Sequence, residues 1–285
     1  MFIVGSCCTT FGQDVCRVTV PATVLREDGG SVYNLRPEQF HIALHGKKQP
    51  SEIAISERED RNVSVLLDNS GSMYGERGEE SPTHRKSVRA ASDILKNLPP
   101  QATVRFGVFA SKSTTVEGVP DGLKLLSQTT LNKKSGRTAL WQSTQEMALT
   151  MNQPGAIIVV SDCGDNHSLV NEGKLRDQLL ARRIRFVAVM TLEHDAPPLV
   201  LEELNGPPEC EALAKATGGM RGELKGDGAL TPESVRAMLH TYRITLTLPR
   251  SSARERLKLQ VAPQYEDQQH LMIFAPKSLP GCDPQ

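Results

Sequence analysis

Two short, nearly continuous apolar runs, each leading to an aspartate, constrain the fold of this chain most. Residues 63–67 read Val-Ser-Val-Leu-Leu before Asp68, and residues 156–160 read Ala-Ile-Ile-Val-Val before Ser161 and Asp162. Such runs are typical of strands that are buried on both faces, as in a parallel sheet covered by helices. Because ligands bind beyond the carboxyl ends of such strands, we expect Asp68 and Asp162 at one functional edge.

Strands and helices alternate through the middle of the chain, and Pro99-Pro100 ends the first helix. The strand-like segments are 63–67, 104–110, 156–160 and 184–190, and the helix-like segments are 88–98, 139–151, 175–180, 210–216 and 231–240. This alternation predicts an α/β fold with a doubly wound, mostly parallel sheet and helices on both faces.

The two ends of the chain have a different pattern. Apolar residues alternate with polar ones in residues 15–60 and again in 242–276, as in half-buried antiparallel strands. Each piece alone is too short to bury much apolar surface. We therefore predict one small antiparallel β-sandwich domain built from both ends, with an α/β domain of residues 61–241 inserted in it.

The loop after the first apolar run, Asp68-Asn69-Ser70-Gly71-Ser72, is rich in oxygen ligands. Asp68, Ser70 and Ser72 occupy every second position, so their oxygens can point to one centre. Carboxylate and hydroxyl oxygens form the hard ligand set that Mg²⁺ prefers. The simpler alternative is a serine-rich turn whose aspartate caps the next helix.

Two later segments add oxygen ligands at helix and strand ends. Thr138 begins a helix after Ser135-Gly136-Arg137, and Asp162 ends the second apolar run. With D-N-S-G-S at residues 68–72, these positions resemble the metal-ion-dependent adhesion site of the von Willebrand factor A family. The resemblance covers about residues 61–240 and includes Leu213–Gly219, which is similar to the late helix and glycine exit of that family.

The resemblance implies a Rossmann-like von Willebrand factor A fold and a Mg²⁺ site, with Mn²⁺ or Ca²⁺ as alternatives, formed by Asp68, Ser70, Ser72, Thr138 and Asp162. It also implies that an Asp or Glu of a partner protein completes the metal shell, so that the chain is an adhesion-type interaction module. Family members often carry glycine directly after the third-loop aspartate, where this chain has Cys163. This departure leaves Asp165 as a competing ligand.

Two other functions use the same strand ends: a metal-dependent hydrolase, or a structural component with a vestigial site. A G-x-S-x-G nucleophile motif has a glycine two residues before its serine, and neither Ser70 nor Ser72 has one there. No P-loop motif occurs either. Ser70 stands where a phosphatase with Asp68 as nucleophile usually has a second acid. His84 and His167 lie near the motif loops and are interpreted as solvated side chains. We therefore predict a binding module and not an enzyme.

Charge and composition exclude several other classes of partner. The chain carries 33 basic and 33 acidic side chains, so its formal net charge is zero and gives no electrostatic footprint for nucleic acid. Aromatic residues make up 4%, too few to indicate a base-stacking platform. No stretch approaches the roughly 18 consecutive apolar residues of a membrane-spanning helix.

The flanks and the cysteines bear on the compartment. The flanking strands resemble those of exported bacterial "VWFA-related" proteins, which predicts an exported protein. Residues 1–14 are interpreted as a tail or the remnant of a signal peptide, and 277–285 as a second tail.

The six cysteines are Cys7, Cys8, Cys16, Cys163, Cys210 and Cys282. They form no C-x-x-C pair, so unpaired thiols are the simpler interpretation and one or two disulfides are the alternative.

Overall fold

The computed structural model describes most of the chain. The described residues are 15–27, 29–44, 52–74, 80–129, 137–151, 153–191, 201–249, 256–261, 271–279 and 282, with side chains in the 201–249 segment from residue 204 onward. The predicted tail 1–14, the segment Ser135-Gly136, and Cys7 and Cys8 lie outside these residues, as does most of the predicted tail 277–285.

The described strands are β1 (Val15–Leu25), β2 (Phe40–Leu44), β3 (Glu52–Glu59), β4 (Asn62–Asp68), β5 (Thr103–Phe109), β6 (Ser113–Glu117), β7 (Gly155–Ser161), β8 (Ile184–Met190), β9 (Met220–Glu223), β10 (His240–Pro249), β11 (Leu257–Val261) and β12 (Met272–Phe274). The described α-helices are α1 (Pro82–Asn97), α2 (Val119–Thr129), α3 (Leu140–Thr150), α4 (Glu172–Arg182), α5 (Leu201–Thr217) and α6 (Pro232–Leu239).

A six-stranded sheet forms the centre of the molecule. Its strand order is β6-β5-β4-β7-β8-β9, and every neighbouring pair is parallel except β5 and β6. Every residue of β7 and β8 is buried, which requires cover on both faces of the sheet. Helices α1, α2 and α6 pack together, as do α3, α4 and α5. The predicted doubly wound α/β fold is confirmed.

Local sequence signals explain where the helices begin. Ser81 precedes α1, its hydroxyl accepts a hydrogen bond from the His84 amide at 3.0 Å, and Pro82 occupies the first helical position. Asn171 caps α4 in the same way through the Lys174 amide at 2.9 Å. These caps fix the starts of two helices that follow loops at the carboxyl edge of the sheet.

The two ends of the chain meet in a second, antiparallel sheet with the order β12-β1-β10-β3. Val20 in β1 pairs with Ile244 in β10, and Ile244 pairs with Ile55 in β3. A two-stranded sheet of β2 and β11 packs nearby, and both contribute to one apolar cluster. Strand β10 begins at His240, directly after α6, two residues before the predicted start of the terminal strands. The division into domains at residues 60 and 242 stays a prediction.

A buried ion pair joins the two sheets. The Arg185 side chain in β8 is 1% exposed and its Nε donates to Asp60 Oδ2 at 2.7 Å. The same guanidinium donates to the Thr23 hydroxyl in β1 at 2.9 Å and to the carbonyls of Met238 and Leu239 at 3.0 Å. One side chain therefore ties the central sheet, the terminal sheet and the end of α6 together.

The four cysteines among the described residues are paired in two disulfides. Cys16 bonds to Cys282, and Cys163 bonds to Cys210. The interpretation as unpaired thiols is therefore wrong for these four residues. The fold brings together cysteines that are far apart in sequence, which no local pattern reveals. No helix in the described part of the chain combines the length and apolarity that crossing a membrane requires.

Candidate metal centre

The two aspartates lie side by side at the carboxyl edge of the central sheet. Asp68 is the last residue of β4, and Asp162 follows directly after β7. The two strands are parallel neighbours in register, with Leu67 opposite Val160. Both side chains are buried, at 0% and 3% exposure.

Ser161 connects the two carboxylates. Its hydroxyl donates to Asp68 Oδ2 at 2.6 Å and lies 3.5 Å from Asp162 Oδ1. The same oxygen accepts a hydrogen bond from the Cys163 amide at 2.9 Å. Ser161 is not among the predicted ligands, although its position at the end of a buried strand, directly before Asp162, was a usable signal.

The first loop brings its three predicted ligands together. The Ser70 amide donates to Asp68 Oδ1 at 2.8 Å. A 3₁₀ turn over Gly71–Met73 then places the Ser72 hydroxyl 3.2 Å from the Ser70 hydroxyl. Ser70 is buried, whereas Ser72 is exposed at the rim. Oxygen atoms from all three positions therefore cluster at the end of β4.

Thr138 is held against the third loop through its backbone. Its amide donates to Asn166 Oδ1 at 2.8 Å, and its carbonyl accepts from the amides of Asn166 and His167 at 3.0 Å each. The side chain is buried at 5% exposure. Among the described residues, no hydrogen bond joins the Thr138 hydroxyl to Asp68 or Asp162, so the bonds that position this predicted ligand run from its backbone to the third loop.

The two candidate aspartates of the third loop have different environments. Asp162 Oδ1 accepts from the Gly164 amide at 2.9 Å and faces Asp68 across Ser161. Asp165 is half-buried, and its Oδ1 accepts from the backbone amides of His167 and Ser168 at 3.5 and 3.2 Å. This geometry puts Asp162 beside Asp68, while Asp165 stabilises the turn that follows.

The electrostatics of the pair fit a cation. Burial, and then repulsion by Asp162, raise the pKa of Asp68 to about 7, although hydrogen bonds from Ser161 and Ser70 act in the opposite direction. None of these neighbours carries a positive charge. The described residues contain no cluster of three or more His, Cys, Asp or Glu side chains suited to a metal. Two carboxylates with hydroxyls fit a hard divalent cation such as Mg²⁺, which would neutralise their charge.

A buried polar cluster anchors the first loop to α1. Asn69 Oδ1 accepts from the Tyr74 hydroxyl at 2.5 Å and lies 3.2 Å from His84 Nε2. The Tyr74 and His84 rings stack with their centroids 4.5 Å apart. Burial lowers the pKa of His84, against the opposing effect of Glu80. The interpretation of His84 as a solvated side chain is therefore wrong, whereas His167 is exposed. The cluster links residues remote in sequence, so no local signal pointed to it.

Cys163, directly after Asp162, has a left-handed backbone with φ +67°. This conformation costs a non-glycine residue about 1–2 kcal/mol. Glycine adopts it without strain, and glycine is the residue expected here from the family resemblance. Cys163 is instead bonded to Cys210 in α5. Cys163 thus keeps the backbone conformation expected of glycine at this position and adds a covalent bond to α5.

Comparisons with known proteins give only distant likenesses. No family model matches the chain, and no curated protein matches it. An aerotolerance-related membrane protein from Bacteroides fragilis, solved with multiple mutations to serines, is 16% identical with a TM-score of 0.46, covering 62% of this chain and 96% of the other. The conserved hypothetical protein BatB from Bacteroides thetaiotaomicron is 17% identical with a TM-score of 0.45, covering 62% and 94%. A von Willebrand factor type A structure from Catenulispora acidiphila is 11% identical with a TM-score of 0.45, covering 83% and 75%.

Proposed function

We propose that this chain is a divalent-metal-dependent protein-interaction module of the adhesion type. One observation carries the proposal: Asp68 and Asp162 form a buried pair of carboxylates, and no basic side chain in the described part of the chain acts on Asp68. The ligands of the proposed Mg²⁺ are Asp68, Ser70, Ser72, Thr138 and Asp162, some of them through water. The resemblance of these positions to the von Willebrand factor A adhesion site supports the same assignment.

The ligand set explains why a partner would bind through the metal. Two carboxylates neutralise a divalent cation, and the three hydroxyl ligands add no formal charge. A Mg²⁺ ion held in this way keeps affinity for a further carboxylate oxygen. The exposed Ser72 hydroxyl marks the side from which an Asp or Glu of a partner protein would approach.

Hydrolysis is the weaker alternative for this edge of the sheet. A hydrolase needs a general base within hydrogen-bond reach of its nucleophile or water. The His84 ring nitrogen is occupied by Asn69 and Tyr74 in the interior, and the His167 side chain is exposed while its backbone amide bonds to the Thr138 carbonyl. We therefore propose binding without catalysis.

We also propose that the protein works in an oxidising compartment, as an exported protein. Its two disulfides are of the kind that persist in secreted and periplasmic proteins and are rare in the cytosol. Free-thiol titration of the protein isolated from its native source tests this directly. Failure of Cys16, Cys282, Cys163 and Cys210 to react with the thiol reagent supports export, and reaction of all four would contradict it.

The binding function is tested by capture from a native extract in Mg²⁺ and in chelator, followed by titration of the captured protein. We expect binding in Mg²⁺ that is lost in chelator and lost in Asp68→Ala. Asp165→Asn is the control, because it changes an acid on the third loop, near Asp162 in sequence, that lies outside the proposed ligand set. Equal partner affinity in chelator and in Mg²⁺ would rule out a metal-mediated interaction.

A further inference from the structure

We infer that the Cys163–Cys210 disulfide positions the Asp162 carboxylate for the metal by holding the backbone of Cys163 in its left-handed conformation. The inference rests on the proposed function, since it assigns a role within the same metal centre. It concerns two cysteines that no local motif connects to metal binding. The observations that carry it lie on both sides of the disulfide.

On the loop side, the backbone of residues 161–164 wraps around the Asp162 carboxylate. The Cys163 amide donates to the Ser161 hydroxyl at 2.9 Å, and the Gly164 amide donates to Asp162 Oδ1 at 2.9 Å. The second bond closes a turn over Cys163, where φ is +67°. If Cys163 took a negative φ, the Gly164 amide or the Asp162 carboxylate would have to move to restore this bond.

On the helix side, α5 offers a fixed anchor. Cys210 is 0% exposed and is followed by the buried residues Leu213 and Ala214. At the end of the helix, the Thr217 hydroxyl accepts from the Phe186 amide of β8 at 2.9 Å. The helix is thus attached to the central sheet independently of the loop.

The loop and the helix also touch directly. A Cβ atom added at Gly206 in α5 would lie 2.2 Å from the Cys163 carbonyl oxygen, so only glycine permits this approach. The disulfide and this backbone contact fix Cys163 from two directions. Both Cys163 and Cys210 are buried, which keeps the tie away from solvent.

Electrostatics explains why a tie is needed at this position. The Asp68 and Asp162 carboxylates are both buried and both lie within 3.5 Å of the Ser161 hydroxyl, so two acidic groups meet where the first and third loops adjoin. The disulfide keeps this pair preorganised. Metal affinity should therefore depend on the conformation of Cys163 and not only on the ligands themselves.

Three double variants separate this role from general stability. Cys163→Ser with Cys210→Ser removes the tie, and Cys163→Gly with Cys210→Ser removes it but lets the backbone adopt positive φ freely. Cys16→Ser with Cys282→Ser is the matched control, because it removes the disulfide of the terminal sheet. The measurements are Mg²⁺ affinity by calorimetry, thermal unfolding, and hydrogen exchange of the Gly164 amide in the metal-free protein.

We expect the serine pair at 163 and 210 to lose about 10–100-fold in Mg²⁺ affinity, the range for groups that orient metal ligands. The glycine variant should regain most of that loss, and the control should bind as the wild type does. The Gly164 amide should exchange faster only in the serine pair. Rescue by glycine is the readout that a merely stabilising disulfide would not produce.

Each contrary result shows which of the two claims has failed, the proposed metal binding or the role of the disulfide. If the wild type binds Mg²⁺ and the 163/210 serine pair binds it equally well, the inference is overturned and the proposed function stands. Loss of affinity without recovery by glycine would overturn the assignment to the Cys163 backbone. If the wild type binds no Mg²⁺, the proposed function is contradicted. Hydrogen exchange of the Gly164 amide then tests the role of the disulfide by itself, and equal protection of this amide in all four proteins would overturn the inference.

Discussion

At the scale of single residues, the Asp68 carboxylate combines full burial with a neighbouring acid. Among the described residues, the charged group that acts on it is Asp162. A raised carboxyl pKa means that the folded state holds its proton where the unfolded state has already released it. The metal-free chain is therefore destabilised by ionisation of this group.

The sign of the pH dependence follows from that shift. Between the ordinary pKa of 3.8 and about 7, folded Asp68 binds a proton that the unfolded chain does not. In chelator, its contribution should lower the free energy of unfolding as pH rises through this window, by about 1.4 kcal/mol per pKa unit. Above pH 7 the contribution should level off.

Asp68→Asn tests this contribution. The amide removes the buried charge, so in chelator at pH 8 the variant should have a higher free energy of unfolding than the wild type. Near pH 4 the difference should shrink, because wild-type Asp68 is then protonated when folded. Denaturant unfolding at both pH values measures the two differences. A variant less stable than the wild type at pH 8 would contradict the account of Asp68.

At the scale of elements, the strand ends were the part of the site that sequence could predict. Strands β4 and β7 are marked by apolar runs that end beside Asp68 and Asp162, so their common edge follows from the pattern alone. The ties between loops could not be predicted. The contact of Thr138 with Asn166 and that of Asn69 with His84 join segments remote in sequence, and no local periodicity encodes them.

The second and third loops should contribute differently to binding. We expect Thr138→Ala to weaken partner binding more than Mg²⁺ binding, because the resemblance to the von Willebrand factor A adhesion site implies that this hydroxyl changes between water-mediated and direct contact with the metal. Asp162→Ala should weaken both, because it removes formal charge from the metal shell. Mg²⁺ calorimetry and partner titration on each variant give the two ratios. Equal loss of metal and partner affinity in Thr138→Ala would contradict this division.

At the scale of the whole molecule, the alternating pattern at both chain ends anticipated strands, and the structure pairs β1 with β10 in one sheet. The junction between the two sheets was not anticipated. Arg185 is the one charged residue in the otherwise apolar strand β8, and this was a usable signal for a buried charge. Its partner Asp60, however, lies in a charged segment that is distant in sequence. Only the folded chain shows that the two are paired.

Breaking this buried ion pair should destabilise the whole chain. Asp60→Asn leaves the Arg185 charge buried without its counter-charge, and we expect a loss of about 3–5 kcal/mol in the free energy of unfolding. The double variant Asp60→Asn with Arg185→Met should lose less, since no buried charge remains. Denaturant unfolding of both proteins measures the difference. A double variant that is at least as destabilised as Asp60→Asn would show that the unpaired charge of Arg185 is not the cause of the lost stability.

Removing residues 1–60 tests the predicted domain division. The deletion takes away β1 and β3, the two partners of β10, and exposes the buried faces of Tyr242 and Leu246. We expect the shortened chain to aggregate, as measured by size-exclusion chromatography and light scattering. A soluble fragment that unfolds cooperatively and keeps residues 242–276 ordered would contradict a domain shared between both ends.

The metal centre itself is tested most directly by calorimetric titration of Mg²⁺ into the chelator-treated protein. The account predicts one site in the wild type, no detectable site in Asp68→Ala, and an unchanged site in Asp165→Asn. Circular dichroism should show that both variants keep the wild-type fold, because neither side chain belongs to the apolar core. Wild-type affinity for Mg²⁺ in Asp68→Ala, or the absence of a site in the wild type, would contradict the central claim.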